Sequence, residues 1–283
     1  LMDVILLVFL LMLSIPLPVC FAGALLFLSL FGDVSMKTML IWVFSQSTGT
    51  VLLASPLFIL AGTYMGGSGI AKRLLDCVDA FVGHIKSGLG VVAVLVCAIM
   101  GAISGSGFTG VAATGPIMIP KMEEQGYPRG YATALVTVSS VLGLLIPPSV
   151  VMIMFGWVTE CSILACFLST LGPGLIITAL FCIIHVFWSR QFDLKVTEKK
   201  PFGEFASNAG KMTFKAVPAL IMPLIILGGI YGGVFTPTEA AAMAAIYSIP
   251  IGLWVYKACT FKGFLAMTKE ATSTVGSIMV MIV

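Results

Sequence analysis

The chain has 283 residues, 59% of them hydrophobic and 10% charged. Its mean hydropathy is +1.11. Soluble domains carry about 25% charged residues, so this composition points to a membrane protein. The net charge of +3 is small and spread over connecting stretches, which excludes the basic face that a nucleic-acid partner needs. Cys20, Cys77, Cys97, Cys161, Cys166, Cys182 and Cys259 sit mostly in apolar runs with no Cys-x-x-Cys, and they read as apolar thiols. Neither a disulfide framework nor a transition-metal site is implied.

Residues 4–31 are too long for a signal peptide and lack a basic leader, so they read as a membrane span. Apolar segments follow at 38–65, 89–120, 131–156, 161–188, 216–234 and 238–256, and another opens near 271. A spanning helix needs about 20 apolar residues, which most of these supply. The chain starts at Leu1 without an initiator methionine and stops at Val283 inside an apolar segment. It is therefore expected to be a fragment.

Charge collects in the linkers 66–88, 121–130, 189–215 and 257–270. Two spans separate 121–130 from 189–215, and two more separate that linker from 257–270, so all three share a side. The positive-inside rule makes it the cytoplasmic one. Linker 66–88 is basic as well (Lys72, Arg73, Lys86), so segment 89–120 has to return the chain to the side it left. A re-entrant hairpin achieves this, with arms 89–103 and 110–120 and a tip at 104–109. The run Gly101-Ala-Ile-Ser-Gly-Ser-Gly-Phe-Thr-Gly110 supplies the turn. A second interruption is Gly143-Leu-Leu-Ile-Pro-Pro-Ser149: Pro147 and Pro148 stop helix 131–143 near Gly143, and Ser149 fits the N-cap of a following helix at 150–158. The bland readings are helix packing for the small residues and a simple proline kink for the second break. The motifs Gly62-x-x-x-Gly66, Gly101-x-x-x-Gly105 and Gly228-x-x-x-Gly232 fit packing.

Unpaired backbone inside a bilayer persists only where protein or a water-filled cavity satisfies it, and transporters use such breaks to build ion and substrate sites. Carbonyls at the end of a half-helix, with the hydroxyls of Ser104, Ser106 and Thr109, suit a small hard cation such as sodium. Gly105, Gly107 and Gly110 allow the backbone to come close. At the second break the upstream carbonyls, from Gly143 to Pro147, face a cation, while the free amides after Pro148 and Ser149 attract a carboxylate. The candidate sodium ligands are thus Ser104, Gly105, Ser106, Gly107, Thr109, Gly143, Pro147 and Ser149, and the substrate side is Ser106, Pro148 and Ser149. A third break, Gly232-Gly-Val-Phe-Thr-Pro-Thr-Glu239, reads as a turn and helix start, with Thr236 as cap, Pro237 in the first position and Glu239 on the dipole, the alternative being a ligand role. Glu160 reads as interfacial. His84 and His185 are isolated, without a base or second ligand at a supporting spacing. An intramembrane serine protease lacks a histidine at the depth of Ser104 and Ser106, and no nucleotide-binding P-loop occurs.

At four stretches the chain resembles the large membrane (M) subunit of TRAP transporters, the tripartite ATP-independent periplasmic carriers. They are Gly101-Ala-Ile-Ser-Gly-Ser106, Ile117-Met-Ile-Pro120, Leu142-Gly-Leu-Leu-Ile-Pro-Pro-Ser149 and Gly229-Ile-Tyr-Gly-Gly-Val-Phe-Thr-Pro-Thr-Glu-Ala-Ala241. Gly107 stands where the family usually has a second serine after Ser106, and Ser139-Ser140-Val141 precedes Leu142 where a small-residue run is common. The resemblance implies an all-α polytopic membrane protein with the inverted-repeat elevator fold of ion transporters. Residues 1–65 would be scaffold helices. Residues 66–160 would be the transport domain, with the hairpin 89–120 and a broken helix 131–158. Residues 161–234 would be further transmembrane helices with the basic cytoplasmic linker 189–215, and 235–283 the start of the second repeat. It further implies sodium as coupling ion without an organic cofactor, and a carboxylate cargo delivered by a periplasmic binding protein. A small Q subunit would sit alongside in the bacterial inner membrane. On this reading the mate of the Ser104 tip lies beyond Val283, and the chain is expected not to transport alone. The alternative class is a membrane scaffold or assembly subunit with no transport site of its own.

Overall fold

The computed structural model describes residues 2–32, 35–47, 49, 52–83, 85–194 and 202–282, and among these every regular element is a helix. His84 and Lys195, Lys199 and Lys200 of the basic linker lie outside the described residues. Among the described residues, four helical stretches are long and apolar enough to cross a bilayer: Arg129–Val158, Ile163–Gln191, Gly210–Tyr231 and Pro237–Val255.

The two N-terminal segments are each divided, contrary to the single spans expected. Residues 4–31 form α1 (Met2–Met12) and α2 (Leu17–Phe31), folded back so that Leu10 packs beside Gly23. Pro16 and Pro18 are the cause: neither supplies an amide to a continuing ladder, and Pro18 suits the first turn of a new helix. Residues 38–65 likewise divide into α3 (Met36–Ser47) and α4 (Ala54–Gly67).

Residues 66–88, expected as a linker, contain α5 (Ile70–Val82). Ile70, Ala71, Leu74, Leu75 and Cys77 bury one face of this helix, while Lys72, Arg73 and Asp76 lie on the other. Asp79 near its end lies 3.9 Å from Lys121. Burial pushes the Asp79 carboxyl up, against the pull of Lys121.

The chain then makes a helical hairpin, α6 (Gly88–Ser104) and α7 (Gly107–Glu124). Its arms run antiparallel, since a Cβ on Gly110 would stand 3.7 Å from the Cys97 carbonyl. The segment is therefore not one continuous rod. After α8 (Arg129–Ser139) come a single turn, α9 (Leu142–Leu145), the non-helical residues 146–149 and α10 (Val150–Val158). The upstream helix ends four residues earlier than expected, and Gly143 belongs to the isolated turn.

α11 (Ile163–Trp188) returns to the hairpin base, where His185 is 1% exposed. Its Nδ1 lies 2.9 Å from the Tyr131 hydroxyl and its Nε2 3.0 Å from the Ser87 carbonyl. A carbonyl only accepts, so Nε2 carries the proton and Tyr131 donates to Nδ1. Gly90 of α6 leaves room for the ring. His185 is thus a structural tie between α6, α8 and α11, with partners invisible to local spacing.

α12 (Phe202–Pro223) runs through a π-helical turn (Leu224–Gly228) into α13 (Gly229–Tyr231). Pro218 interrupts its ladder, and the Tyr256 hydroxyl inserts just after it, accepting from the Ala219 amide at 3.1 Å and donating to the Lys215 carbonyl at 3.0 Å. α14 (Pro237–Pro250) begins with a capping box: the Glu239 amide donates to Thr236 Oγ1 at 3.3 Å and the Thr236 amide to Glu239 Oε2 at 2.8 Å. The third break is therefore a helix start, as its residues imply. A second π-helical turn (Ile251–Val255) and residues 256–260 lead to α15 (Phe261–Ile282), so most of the expected linker 257–270 is helical.

α4 is the element on which the rest converges, packed against α14, α15, α6, α7 and α10. The alanine face of α14 (Ala240, Ala241, Ala244, Ala245) lets the two backbones approach. Of the expected glycine packing motifs, Gly101 is the strongest case: a Cβ there would overlap Gly143 of α9. Gly62 meets the Ser104 Cβ, 2.5 Å from where its own would stand. Among the described residues, Gly66 and Gly228 have nothing within 4 Å and Gly232 meets only the Gly228 carbonyl and the Val234 side chain, so none of the three meets another helix there.

Gly101→Val is expected to destabilise the protein by roughly 1–3 kcal/mol, because backbone and not a flexible side chain must move. Gly66→Ala is expected to be neutral or slightly stabilising, since alanine favours a helix by about 1 kcal/mol over glycine. Thermal unfolding of the two variants in detergent checks the contrast.

Candidate functional site

The two breaks meet. α6 ends at Ser104, Gly105 takes φ +65, Ser106 is extended at φ −136, and α7 begins at Gly107. The turn is two residues long, where the sequence suggested six. Only glycine holds the left-handed conformation of Gly105 without strain, and a side chain there would also press on the Pro148 carbonyl at 3.0 Å and the Val150 amide at 3.1 Å. That amide, first of α10, donates to the Gly105 carbonyl at 3.1 Å. One break thus satisfies the other: an orphan amide at a helix start takes an orphan carbonyl at a hairpin turn.

One turn back, α6 crosses α9 glycine on glycine, and a Cβ on Gly143 would stand 2.8 Å from Gly101 Cα and 3.1 Å from the Ser106 carbonyl. A Cβ on Gly107 would stand 2.8 Å from the Ser140 carbonyl. Carbonyl oxygens of Ser106, Ser140 and Pro148 therefore gather around the turn.

The hydroxyls divide by role. Ser104 is fully buried and spent locally, donating to the Met100 carbonyl at 2.9 Å or the Ser106 carbonyl at 3.2 Å, and accepting from the Ser106 amide at 3.3 Å. Ser149 is also fully buried and sits before α10 in extended conformation (φ −124), where the sequence placed an N-cap. It does not cap. Its Oγ has no hydrogen-bond partner. A buried hydroxyl left unpaired costs about 1–3 kcal/mol. Ser139 Oγ, 0% exposed on the last turn of α8, is unpaired as well, and sequence reading gave it no role.

A cavity of about 550 Å³ opens on the other side of the turn, bounded by α4, α7, α10 and α15. Gly105, Ser106 and Thr109 line it, whereas Gly107, Gly143 and Pro148 lie within the contact between hairpin and break, Ser104 lies against Gly62 of α4, and Pro147 and Ser149 are buried outside the cavity lining. The structure thus brings the expected ligands together at one junction but splits them between an enclosed face and an open one. Glu270 and Thr274 of α15 also line the cavity, and sequence reading had left Glu270 in a linker. The signal for them was the helical spacing of Met267, Glu270, Thr274 and Ile278, all on the cavity wall.

The family model described as "Tripartite ATP-independent periplasmic transporter, DctM component" matches residues 4–283. The chain is 40% identical over 236 residues to the C4-dicarboxylate TRAP transporter large permease protein of Pseudomonas aeruginosa, covering 83% of this chain and 54% of that protein. It is 35% identical over 268 residues to the ectoine TRAP transporter large permease protein of Halomonas elongata (92% of this chain, 61% of that one). To the sialic acid TRAP transporter large permease protein of Vibrio cholerae it is 33% identical over 235 residues (82% and 53%). The chain spans little more than half the length of these relatives. They are transporter permeases and not enzymes, and this chain, with its long apolar helices, is a multi-pass membrane protein. It belongs to the family of the DctM component, the large permease of tripartite ATP-independent periplasmic transporters.

Proposed function

We propose that this chain carries the first ion site of a sodium-coupled secondary transporter that imports an organic acid anion across the bacterial inner membrane. The supporting observation is the junction of hairpin turn and broken helix, where the carbonyls of Ser106, Ser140 and Pro148 gather, together with the unpaired, fully buried Ser149 Oγ just before α10. A small hard cation with neutral oxygen ligands suits that junction, because no side chain there carries a full charge to match a divalent ion. The carboxylate of the cargo lies toward the start of α10, in the cavity lined by Ser106, where helix-end amides favour an anion.

The hairpin is re-entrant on this reading. Together with the broken helix it forms a transport body that slides, as an elevator, against scaffold helices from residues 1–65. A periplasmic binding protein delivers the cargo and a small membrane subunit flanks the scaffold. A relative in Oleidesulfovibrio alaskensis bears the name isethionate TRAP transporter permease protein DctMQ, which fits a partner of that kind. The second half of the binding site belongs to an inverted repeat whose start is at 235–283.

Uptake by the full-length permease with its partners in proteoliposomes is expected to vanish when sodium is replaced by choline. Uptake that persists unchanged would end the coupling reading. Ser149→Ala separates binding from folding. The substitution removes an unpaired oxygen, so the sodium-free protein is expected to melt at the same temperature or higher, while half-saturation by sodium rises roughly tenfold or more. An unaltered sodium dependence would remove Ser149 from the site. Ser104→Ala breaks the bonds that close the turn and is expected to lower stability by about 1 kcal/mol.

A further inference from the structure

We propose that Glu270 makes the cavity beside the hairpin turn selective for a cargo that carries a positive group as well as its carboxylate, a zwitterion in preference to a dicarboxylate. The inference rests on the transport reading above. Among the described residues lining the cavity, Glu270 alone carries a full charge. The rest of that wall is apolar side chains, glycines and the neutral hydroxyls of Thr63, Ser106, Thr109 and Thr274.

Its place there is fixed by packing. Met267, one turn earlier on α15, lies directly over Gly67 of α4, where a Cβ would collide with its sulfur. The Thr268 hydroxyl meets the Tyr64 hydroxyl at 2.7 Å, which sets the rotation of α15 about its axis. With the helix so held, Met267, Glu270, Thr274 and Ile278 form one stripe facing the cavity. No hydrogen bond or ion pair engages the Glu270 carboxylate among the described residues. Thr274 donates to the Glu270 backbone carbonyl at 3.2 Å and leaves the carboxylate free.

Val150 and Val151, at the start of α10, also line the cavity. The Val150 amide is taken by Gly105 and the Ile153 amide donates to the Ser149 carbonyl at 3.1 Å, while the Val151 and Met152 amides between them have no backbone partner among the described residues. The cavity therefore offers partial positive charge at α10 and a full negative charge on α15. A molecule bearing a carboxylate and a cationic centre answers both. A C4-dicarboxylate that places one carboxylate at α10 brings its other toward Glu270, and like charges repel.

The test uses the full-length permease with its small subunit in nanodiscs, at saturating sodium, with calorimetric titration of ectoine and 5-hydroxyectoine as zwitterions and succinate as dicarboxylate. Glu270→Gln keeps the shape and removes the charge. The wild type is expected to bind a zwitterion more tightly than succinate. The variant is expected to weaken zwitterion binding roughly tenfold and to leave succinate unchanged or tighter. Effects of opposite sign do not arise from a folding defect. Tighter binding of succinate by the wild type, no zwitterion binding, an unchanged zwitterion affinity or an equal loss for both probes overturns the proposal. Sodium is also titrated without cargo: a tenfold loss in the variant would give Glu270 to the coupling cation and overturn the proposal as well. Sodium-driven uptake that survives in a variant with no change in selectivity removes only the inference about charge and leaves the transport reading standing.

Discussion

The structure depends on backbone polarity that has to be satisfied where water is scarce. An apolar chain that breaks its helices leaves amides and carbonyls exposed to a solvent that cannot pair with them. Here two breaks, about 40 residues apart in sequence, are brought into register so that Gly105 offers a carbonyl and Val150 an amide. Gly101 and Gly143 make the approach possible, since any side chain at that crossing would push the helices apart before the bond formed. What the two breaks do not satisfy between them is the Ser149 oxygen, buried without a hydrogen-bond partner.

The same constraint recurs elsewhere and is met by other means. Pro218 costs α12 a rung of its ladder, and the Tyr256 hydroxyl repairs the next one by standing between Ala219 and Lys215. The buried His185 has both ring nitrogens engaged, tying α11 to the base of the hairpin. Among the described residues, most side-chain hydroxyls bond a carbonyl one turn earlier on their own helix, while a few polar groups pair across large sequence separations, as between Tyr64 and Thr268. This is why unpaired buried groups such as Ser139 and Ser149 stand out.

Much of this was legible in the residues. The glycine and serine cluster at 101–110 announced a turn because charge on linker 66–88 demanded one, and the Pro-Pro pair announced a break because proline has no amide to give. Thr236, Pro237 and Glu239 spelled out a helix start that the structure shows, with the Glu239 carboxylate also closing a capping box on the Thr236 amide. Other features were misread for identifiable reasons. Hydrophobicity alone ran α1 into α2, although Pro16 and Pro18 already forbade it. Charge density hid α5, although its apolar residues repeat at helical spacing. The partners of His185, the idle hydroxyl of Ser149 and the position of Glu270 depend on long-range contacts, which no local pattern contains.

The account stands or falls on whether the α6–α7 hairpin turns back inside the bilayer. Lys86, just before α6, and Glu124, at the end of α7, are both exposed. Single cysteines at these positions, in the full-length protein with its native cysteines replaced, can be labelled with a membrane-impermeant maleimide in intact spheroplasts and in inverted vesicles. The account predicts that both react only in inverted vesicles, from the cytoplasmic face. Labelling from opposite faces would show that the segment crosses the membrane, and the site built at its turn would have to be abandoned.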